Sequence, residues 1–195
     1  MSTYQPPLAW LYRLLAGLAW LVYHLLFDLR IRRDPRLKTI DGPLIVLGNH
    51  PSYLDPPLMA LALWPRRLHF LTTSFFFRYP LVRWVLQRVQ AIPKVQFRTD
   101  MQATKQMFSV IRAGGTVAIY PEGQRSLDGS RCPIDSSIAK MVKKTACPVA
   151  AVRTRGAYLV WPRWSQSGLR LGRMEATAHL LLDSDEIAIL TVAEI

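Results

Sequence analysis

The sequence predicts an α/β fold, a single domain with a central mixed sheet flanked by helices, preceded by an N-terminal membrane-associated helix. Short apolar runs at 44–47 and 116–119 alternate with segments of helical periodicity, as strands and helices alternate in α/β proteins. The length of 195 residues, half of them apolar, suits one domain with a full core. We assign residues 1–40 to an N-terminal helix and basic segment, and residues 41–195 to the domain.

The segment from residue 8 to residue 29 is apolar, rich in aromatic residues and almost long enough to cross a bilayer. Arg13, His24 and Asp28 interrupt it, which favours a helix lying in the membrane interface at least as strongly as one that spans the bilayer. A helix buried against the domain is the alternative. Basic residues follow at once and predict a domain on the cytoplasmic face of a membrane, such as the bacterial inner membrane. These residues are Arg30, Arg32, Arg33, Arg36 and Lys38.

The formal net charge of +12 predicts a polyanionic partner, either nucleic acid or an anionic membrane surface. Between residues 66 and 98, basic and aromatic residues are interleaved and no acidic residue occurs, which suits anionic lipid headgroups. The alternative is a solvated basic face whose aromatic side chains are buried in the core. The sequence carries no RNP, zinc-finger or helix-turn-helix signature, so we expect membrane lipids, and no nucleic acid, as partners. The spacing of Cys132 and Cys147 predicts neither a metal site nor a disulfide framework.

An imidazole and a carboxylate follow the first apolar run of the domain. Gly48 and Pro51 end the strand predicted at 44–47, so that His50 lies at a strand end and Asp55 five positions beyond it. A carboxylate bonded to one ring nitrogen would fix the tautomer and leave the other nitrogen free to take a proton from a hydroxyl near neutral pH. The spacing requires a bend of the backbone between the two residues, and Pro51 supplies a reason for one.

The remaining elements follow from apolar residues at helical or strand spacing and from the proline and glycine residues that end each segment. Helices are predicted at 54–63, 83–90, 101–111 and 134–145. Further strands are predicted at 68–72, 169–174 and 178–182. No internal repeat or interdomain linker is recognisable in the sequence.

A second block of polar residues follows the apolar run at 116–119 and reads Tyr120-Pro121-Glu122-Gly123-Gln124-Arg125-Ser126. In its order and separation from the block Asn49-His50-x-x-x-x-Asp55, it resembles the glycerolipid acyltransferase family typified by bacterial 1-acylglycerol-3-phosphate acyltransferase. That family carries Asn-His-x-x-x-x-Asp and then Phe-Pro-Glu-Gly-Thr-Arg-Ser. Tyr120 therefore stands for the phenylalanine and Gln124 for the threonine.

The resemblance implies an O-acyltransferase that moves a fatty acyl group from a thioester, acyl-CoA or acyl-ACP, to the free hydroxyl of a lysophospholipid. The expected acceptor is 1-acylglycerol-3-phosphate, which gives phosphatidic acid, and no cofactor besides the thioester co-substrate is expected. His50 is then the general base and Asp55 its orienting partner. Asn49 or a nearby backbone N–H is the candidate donor to the oxyanion. Ser52 lacks the Gly-x-Ser-x-Gly elbow of an exposed nucleophile, so we expect direct transfer.

The resemblance also assigns residues to the phosphate and glycerol of the acceptor. Arg125 is the principal candidate for the phosphate, since a planar guanidinium can bind two phosphate oxygens at once. Glu122 and Gly123 belong to the same loop, where Glu122 would hold the guanidinium or bond the glycerol. The family associates a further arginine with the phosphate. Here Arg98 lies two positions later than the commonest spacing, so that Lys94 competes with it for this role.

Three departures from the family pattern leave other functions open. The arginine at position 98 is displaced, Ser136 stands where a glycine is customary, and Ala151 stands where a second proline is typical. They favour, as an alternative, an acyltransferase for another lysolipid acceptor such as a lyso-ornithine lipid. A non-enzymatic basic membrane-binding protein is a second alternative, although it would not need the His50 and Asp55 pair. An inactive relative is the third.

Overall fold

The computed structural model describes residues 4–130, 134, 137–165 and 168–195. The strands are β1 Phe27–Arg33, β2 Leu44–Gly48, β3 Leu68–Thr73, β4 Ile92–Lys94, β5 Thr116–Ile119, β6 Val149–Arg155 and β7 Gly172–Leu182. The α-helices are α1 Ala9–Leu26, α2 Asp55–Ala62, α3 Pro80–Arg88, α4 Met101–Arg112, α5 Ser137–Thr145, α6 Ala157–Val160 and α7 Ser184–Ile189. Two 3-10 helices cover Pro35–Lys38 and Ser74–Arg78. Cys132 and Ser136, which entered the sequence analysis, lie outside the described residues.

The strands form one sheet in the order β1-β7-β6-β2-β5-β3-β4. β2 to β6 are mutually parallel, β7 runs antiparallel to β6, and β1 runs parallel to β7. The α/β fold with a central mixed sheet is therefore confirmed. Because the parallel strands point the same way, their carboxyl ends meet at one edge of the sheet, where α/β proteins bind ligands.

Two apolar layers cover the sheet. Side chains of α1 and α2 pack on one face, and those of α4, α5 and α7 pack on the other. The strands at the centre, β2 and β5, are almost entirely buried, which explains their uninterrupted apolar sequences. The loops that leave these central strands consequently start from a rigid base.

Helix α1 buries one side of its surface and exposes the rest. The Tyr23 hydroxyl donates to the Leu54 carbonyl at 2.6 Å, which fastens the helix to the turn that precedes α2. The exposed side is apolar and consists chiefly of Trp10, Leu14, Leu18, Trp20, Leu21 and Leu25. Among the residues that the structure describes, α1 is the only helix long and apolar enough to cross a membrane. The alternative interpretation, in which this helix is fully buried against the domain, is therefore wrong.

The apolar segment at 8–29 is not helical to its end, because the chain enters β1 at Phe27. Most of the basic segment after it belongs to this strand, so the sheet extends N-terminally past the boundary at residue 41. Arg30 and Arg32 are exposed on this edge strand, where charged side chains hinder pairing with other sheets. Arg33 has a structural role, since its guanidinium donates to the carbonyls of Leu61 and Ala62 at the end of α2, each at 2.8 Å.

The basic and aromatic segment forms the second 3-10 helix and α3, and neither helix contains a buried residue. Phe75, Tyr79, Leu81 and Trp84 are all exposed. The Arg78 guanidinium lies 3.7 Å from the centre of the Phe75 ring, so cations and rings share this surface. The alternative, in which the aromatic side chains are buried in the core, is therefore wrong for the second 3-10 helix and α3.

The C-terminal region differs from the sequence-based expectation in one respect. The two strands predicted at 169–174 and 178–182 are one strand, β7, which pairs with β6 over residues 175–182 and with β1 over residues 172–178. The residues between the predicted strands, such as Ala176, are buried in the sheet. Small residues are weak strand formers by propensity, and burial between two neighbouring strands overrides that preference.

Candidate active site

The candidate site lies at the carboxyl edge of the sheet, where three neighbouring strands end. β2 leads into the turn that carries His50, β5 leads into the block that begins at Tyr120, and β6 ends just after Thr154. Since β2 lies between β6 and β5, these loops are neighbours in space although they are far apart in sequence.

His50 and Asp55 are hydrogen-bonded, with 2.9 Å between Nδ1 and Oδ2. The Asp55 carboxylate is fully buried, and it also accepts bonds from the Ser52 backbone N–H at 2.6 Å and the Thr154 hydroxyl at 3.1 Å. When this carboxylate is ionised it can only accept, and the shared hydrogen then lies on Nδ1. The ring nitrogen left for a further partner is Nε2, on a side chain that is 18% exposed.

The environment of Asp55 opposes its ionisation. Burial raises the pKa of this carboxyl group, while the hydrogen bonds from His50, Ser52 and Thr154 act in the opposite direction. The desolvated carboxylate thus depends on its three donors, and a positive charge on His50 would stabilise it further.

The plane of the His50 ring is set by Tyr120. The two rings are stacked, with their centroids 4.0 Å apart and their planes 15° apart. Gly48 makes room for this stack, because a Cβ there would lie 2.2 Å from the Met59 side chain and 3.0 Å from the Tyr120 ring. Tyr120 was noted in the sequence only as a replacement for phenylalanine, and the stacking role requires an aromatic ring of either kind.

Asn49 joins β6 to the end of β2. Its Nδ2 donates to the Thr154 carbonyl at 3.0 Å, and its Oδ1 accepts from the Thr154 N–H at 2.8 Å. The Asn49 side chain therefore continues the β2–β6 pairing for one more residue. One amide hydrogen and the amide oxygen of Asn49 are thus bonded to the strand, and donation from its second amide hydrogen to an oxyanion stays a prediction.

Glu122 and Ser126 connect the second block to the first. The Glu122 carboxylate accepts from the His50 N–H at 3.2 Å, and the Ser126 N–H donates to the His50 carbonyl at 2.9 Å. Both backbone groups of His50 are thus bonded to the later block. The sequence predicted that Glu122 either holds the Arg125 guanidinium or bonds the glycerol. Among the described residues, no bond joins Glu122 to that guanidinium. Its second oxygen is buried without a hydrogen-bond partner in the part of the chain that the structure describes.

Gly123 gives the block its tight turn. Its φ of +68° lies in the left-handed region that glycine adopts most readily, and its N–H donates to the Tyr120 carbonyl at 3.0 Å. The Gly123 carbonyl in turn accepts from the Gln96 side chain at 3.2 Å. The turn directs the chain back toward His50, which brings Arg125 to the site.

Arg125 lies over an aromatic ring beside the site. Its guanidinium carbon is 3.3 Å from the centre of the Tyr53 ring, and its buried Nη1 has no hydrogen-bond partner among the described residues. Burial lowers the pKa of this guanidinium, Tyr53 opposes the effect, and the neighbouring Arg163 adds to it. The site thus holds a desolvated cation with an unused donor.

The structure does not join Lys94 or Arg98 to this arrangement. Lys94 ends β4 and Arg98 follows it, and both β5 and β3 lie between that strand and β2. The Lys94 ammonium donates to the carbonyl of the next residue at 3.4 Å, and the Arg98 side chain is exposed. Gln96, between them, is the residue of this loop that reaches the second block.

Ser52 is buried, and its hydroxyl donates to the Trp161 carbonyl at 2.8 Å. This bond directs the hydroxyl toward the segment after α6, and the Ser52 N–H is bonded to Asp55. Among the described residues, no group of three His, Cys, Asp or Glu side chains is close enough to hold a metal ion.

Sequence reasoning missed two residues near this site. Thr154 contacts both Asn49 and Asp55 from β6, and Arg163 lies next to Arg125. Neither residue belongs to a recognisable motif, and the only signal for Arg163 is a basic residue among aromatic ones after β6. Only the pairing of β2 with β6 reveals their proximity.

A family model described as Acyltransferase matches residues 29–155, more than half of the chain. The chain belongs to this acyltransferase family. The resemblance seen in the two sequence blocks is thereby confirmed, and the matched region contains most of β1, all of β2 to β6 and the loops described above except the segment around Arg163.

Relatives of this acyltransferase-family chain include two chloroplastic proteins named 1-acyl-sn-glycerol-3-phosphate acyltransferase. The protein from Brassica napus is 25% identical over 145 residues, which cover 73% of this chain and 42% of the relative. The protein from Arabidopsis thaliana is 23% identical over 155 residues, which cover 78% of this chain and 43% of the relative. The chain thus spans less than half the length of these relatives.

The fold is shared with a crystal structure, that of the 1-acyl-sn-glycerophosphate acyltransferase PlsC from Thermotoga maritima. The TM-score is 0.78 at 21% sequence identity, and the match covers 94% of this chain and 72% of that one. The arrangement of the sheet and its helices is therefore the arrangement found in that protein.

Proposed function

We propose that the protein transfers a fatty acyl group from an acyl thioester to the free hydroxyl of a lysophospholipid, with 1-acylglycerol-3-phosphate as acceptor and phosphatidic acid as product. The observation that carries the proposal is the bonded pair of His50 and Asp55 beside the unpartnered Nη1 of Arg125. Family membership and the names of the plant relatives support the same reaction.

In this mechanism His50 is the general base. Its Nε2 takes the proton of the acceptor hydroxyl while the alcohol oxygen attacks the thioester carbonyl carbon. The carbon–sulfur bond then breaks, and the leaving thiolate takes the proton from the imidazolium. Asp55 fixes Nδ1–H and stabilises the imidazolium, and such acid–base assistance contributes about 10²- to 10⁴-fold in rate. The Ser52 hydroxyl is already bonded to the Trp161 carbonyl, which supports direct transfer rather than an acyl-serine intermediate.

The acceptor would be held by the second block. The phosphate is an acceptor for the free Nη1 of Arg125, which is charged and partly desolvated, so the bond would be a strong one. The free oxygen of Glu122 is a matching acceptor for a glycerol hydroxyl. The oxyanion of the tetrahedral intermediate requires a hydrogen-bond donor, and the candidates are the second amide hydrogen of Asn49 and a backbone N–H of the His50 turn.

We propose that the protein acts at the cytoplasmic face of a membrane, where the acceptor and product reside. The exposed apolar side of α1 and the exposed aromatic and aliphatic side chains of the second 3-10 helix and α3 supply surfaces that would insert among lipids. The net charge of +12 would attract anionic headgroups. α1 is fastened to the domain by Tyr23, which favours a helix lying along the interface with the domain beside it.

Another lysolipid acceptor is the second candidate. Arg98 is displaced from the family spacing and exposed, and Lys94 is bonded to its own loop, so the basic residue that the family places near the phosphate has no counterpart in contact with Arg125. An acceptor with a differently placed anionic group would suit this arrangement.

The test is acyl transfer by the purified chain with vesicles, both donor types and a panel of lysolipids, read by the mass of the product. We expect phosphatidic acid from 1-acylglycerol-3-phosphate, and no product from His50→Ala despite unchanged vesicle binding. His179→Ala is the matched control, since His179 is exposed on β7. Transfer by His50→Ala at the wild-type rate, or vesicle binding without any transfer by the wild type, would refute the enzyme mechanism.

A further inference from the structure

We infer that Arg163 is a second guanidinium ligand for the anionic group of the acceptor, paired with Arg125. The inference rests on the proposed function, because it assigns a residue to the same acceptor site. Arg163 lies beyond residue 155, where the match to the family model ends, and in none of the sequence motifs.

The segment that carries Arg163 is fixed to the His50 turn. Trp161 accepts the hydroxyl bond of Ser52 at 2.8 Å, and Pro162 forms an isolated antiparallel bridge with Ser52. Arg163 therefore enters the site from the β6 side, while Arg125 enters from the β5 side. Both chain segments are bonded to the turn that carries His50, one through Ser126 and the other through Trp161.

The Arg163 side chain reaches the loop of the second block. Its Nη1 lies 3.4 Å from the Gln124 side-chain oxygen and 3.5 Å from the Arg125 carbonyl. These contacts are long for hydrogen bonds, and the side chain is exposed, so the guanidinium can turn to a better acceptor at little cost. A phosphate oxygen is such an acceptor.

The charges of the two arginines support this assignment. Among the residues the structure describes, no carboxylate forms a salt bridge with either guanidinium, and Arg125 retains a buried Nη1 without a partner. Two like charges held side by side repel each other, and an anion bound between them removes the repulsion. A phosphate monoester, which has up to two negative charges and three free oxygens, matches two planar guanidinium groups.

Binding of glycerol 3-phosphate, the soluble headgroup of the proposed acceptor, tests the inference without catalysis. We expect Arg163→Gln to raise the dissociation constant for glycerol 3-phosphate about tenfold, because the substitution removes one charge-assisted hydrogen bond. Arg112→Gln, which removes the same charge at the end of α4 near the opposite edge of the sheet, should leave the constant unchanged. Equal affinities of the wild type and Arg163→Gln, or no binding by the wild type, would overturn the inference.

Kinetics provide the second measurement. Arg163→Gln should raise KM for 1-acylglycerol-3-phosphate about tenfold and leave KM for the thioester donor unchanged. The KM of Arg163→Lys for the acceptor should lie between those of the wild type and Arg163→Gln. Similar increases for donor and acceptor would contradict a role in phosphate binding. If the wild type transfers no acyl group but binds glycerol 3-phosphate through Arg163, the proposed function fails and the phosphate site remains.

Discussion

The Glu122 carboxylate accepts a hydrogen bond from the backbone N–H of His50, although the two residues are 72 positions apart. The bond, with that from Ser126 to the His50 carbonyl, locks the two sequence blocks to each other. We expect Glu122→Ala to lower kcat about 10²-fold, because a small misplacement of a catalytic group has effects of that size. Glu122→Gln keeps the acceptor for the His50 N–H and should retain most of kcat. Equal losses in both variants would show that charge, rather than alignment, matters.

Asp55→Asn should separate activity from stability. Asn can keep the hydrogen bonds to His50 and Ser52 but cannot stabilise an imidazolium, so we expect kcat to fall about 10²- to 10⁴-fold. Burial raises the pKa of Asp55 above its ordinary value of 3.8, so the folded state binds this proton more tightly than the unfolded state does. The stabilising contribution of Asp55 is therefore fully present at pH values below 3.8, and it is lost as the pH rises through the raised pKa of the folded state.

The measurement for Asp55→Asn is the free energy of unfolding in urea at pH 4 and pH 7. The variant lacks the titrating carboxylate, so its stability relative to the wild type should increase from the lower pH to the higher. A relative stability that decreases over this range would mean that the three donors outweigh burial.

Asp34 is expected to show the opposite dependence. Its carboxylate is bonded to the Arg36 side chain and backbone, which lowers its pKa from 3.8 to about 2. A lowered carboxyl pKa contributes stability above the ordinary value, and that contribution is lost as the pH falls toward 2. Asp34→Asn should thus be less stable than the wild type at pH 7, and the difference should vanish near pH 2. Acid titrations of unfolding for both proteins would reveal whether the difference persists at low pH, contrary to this expectation.

Ser52→Ala should lose stability and keep activity. The hydroxyl is the donor to the Trp161 carbonyl, and removing it leaves a part-buried acceptor unsatisfied at a cost of about 1–3 kcal/mol. Direct transfer does not use this hydroxyl, so the rate constant should be unchanged at temperatures where the variant is folded. An acyl-serine at position 52, detected by mass spectrometry after mixing the wild type with donor alone, would contradict direct transfer.

The sequence was most informative where chemistry and local pattern coincide. His50, Asp55 and the block from Tyr120 to Ser126 were recognisable because each follows a buried strand whose apolar residues are contiguous. The helix that Asp100 caps was also readable from its first residue, since the carboxylate accepts from Gln102 and Ala103 as a capping residue should.

The rest depended on pairings between distant strands. The role of Asn49 follows from the register that places Gly48 beside Val152, which no local pattern encodes. β1 was missed because Arg residues alternate along an edge strand that resembles a solvated basic tail. Arg163 reaches Arg125 only because the segment after β6 stays at the carboxyl edge of the sheet before β7 begins. Such contacts are set by tertiary structure, and single-sequence periodicity does not contain them.

The exposed apolar side chains of α3 should contribute to membrane binding together with the exposed side of α1. Leu81 is 76% exposed and Trp84 is 40% exposed, and the Arg88 guanidinium lies 4.3 Å from the centre of the Trp84 ring. Burying one such side chain contributes about 1.5–3 kcal/mol, so the double variant Leu81→Gln/Trp84→Gln should bind anionic vesicles at least tenfold more weakly.

Ile189→Gln is the control, because Ile189 is 82% exposed on α7, on the other face of the sheet from α1. Sedimentation with vesicles gives the partition coefficients, and added salt should weaken binding of every variant by screening. If Ile189→Gln reduces binding as much as the double variant, insertion is not confined to the α3 surface and this assignment is incorrect.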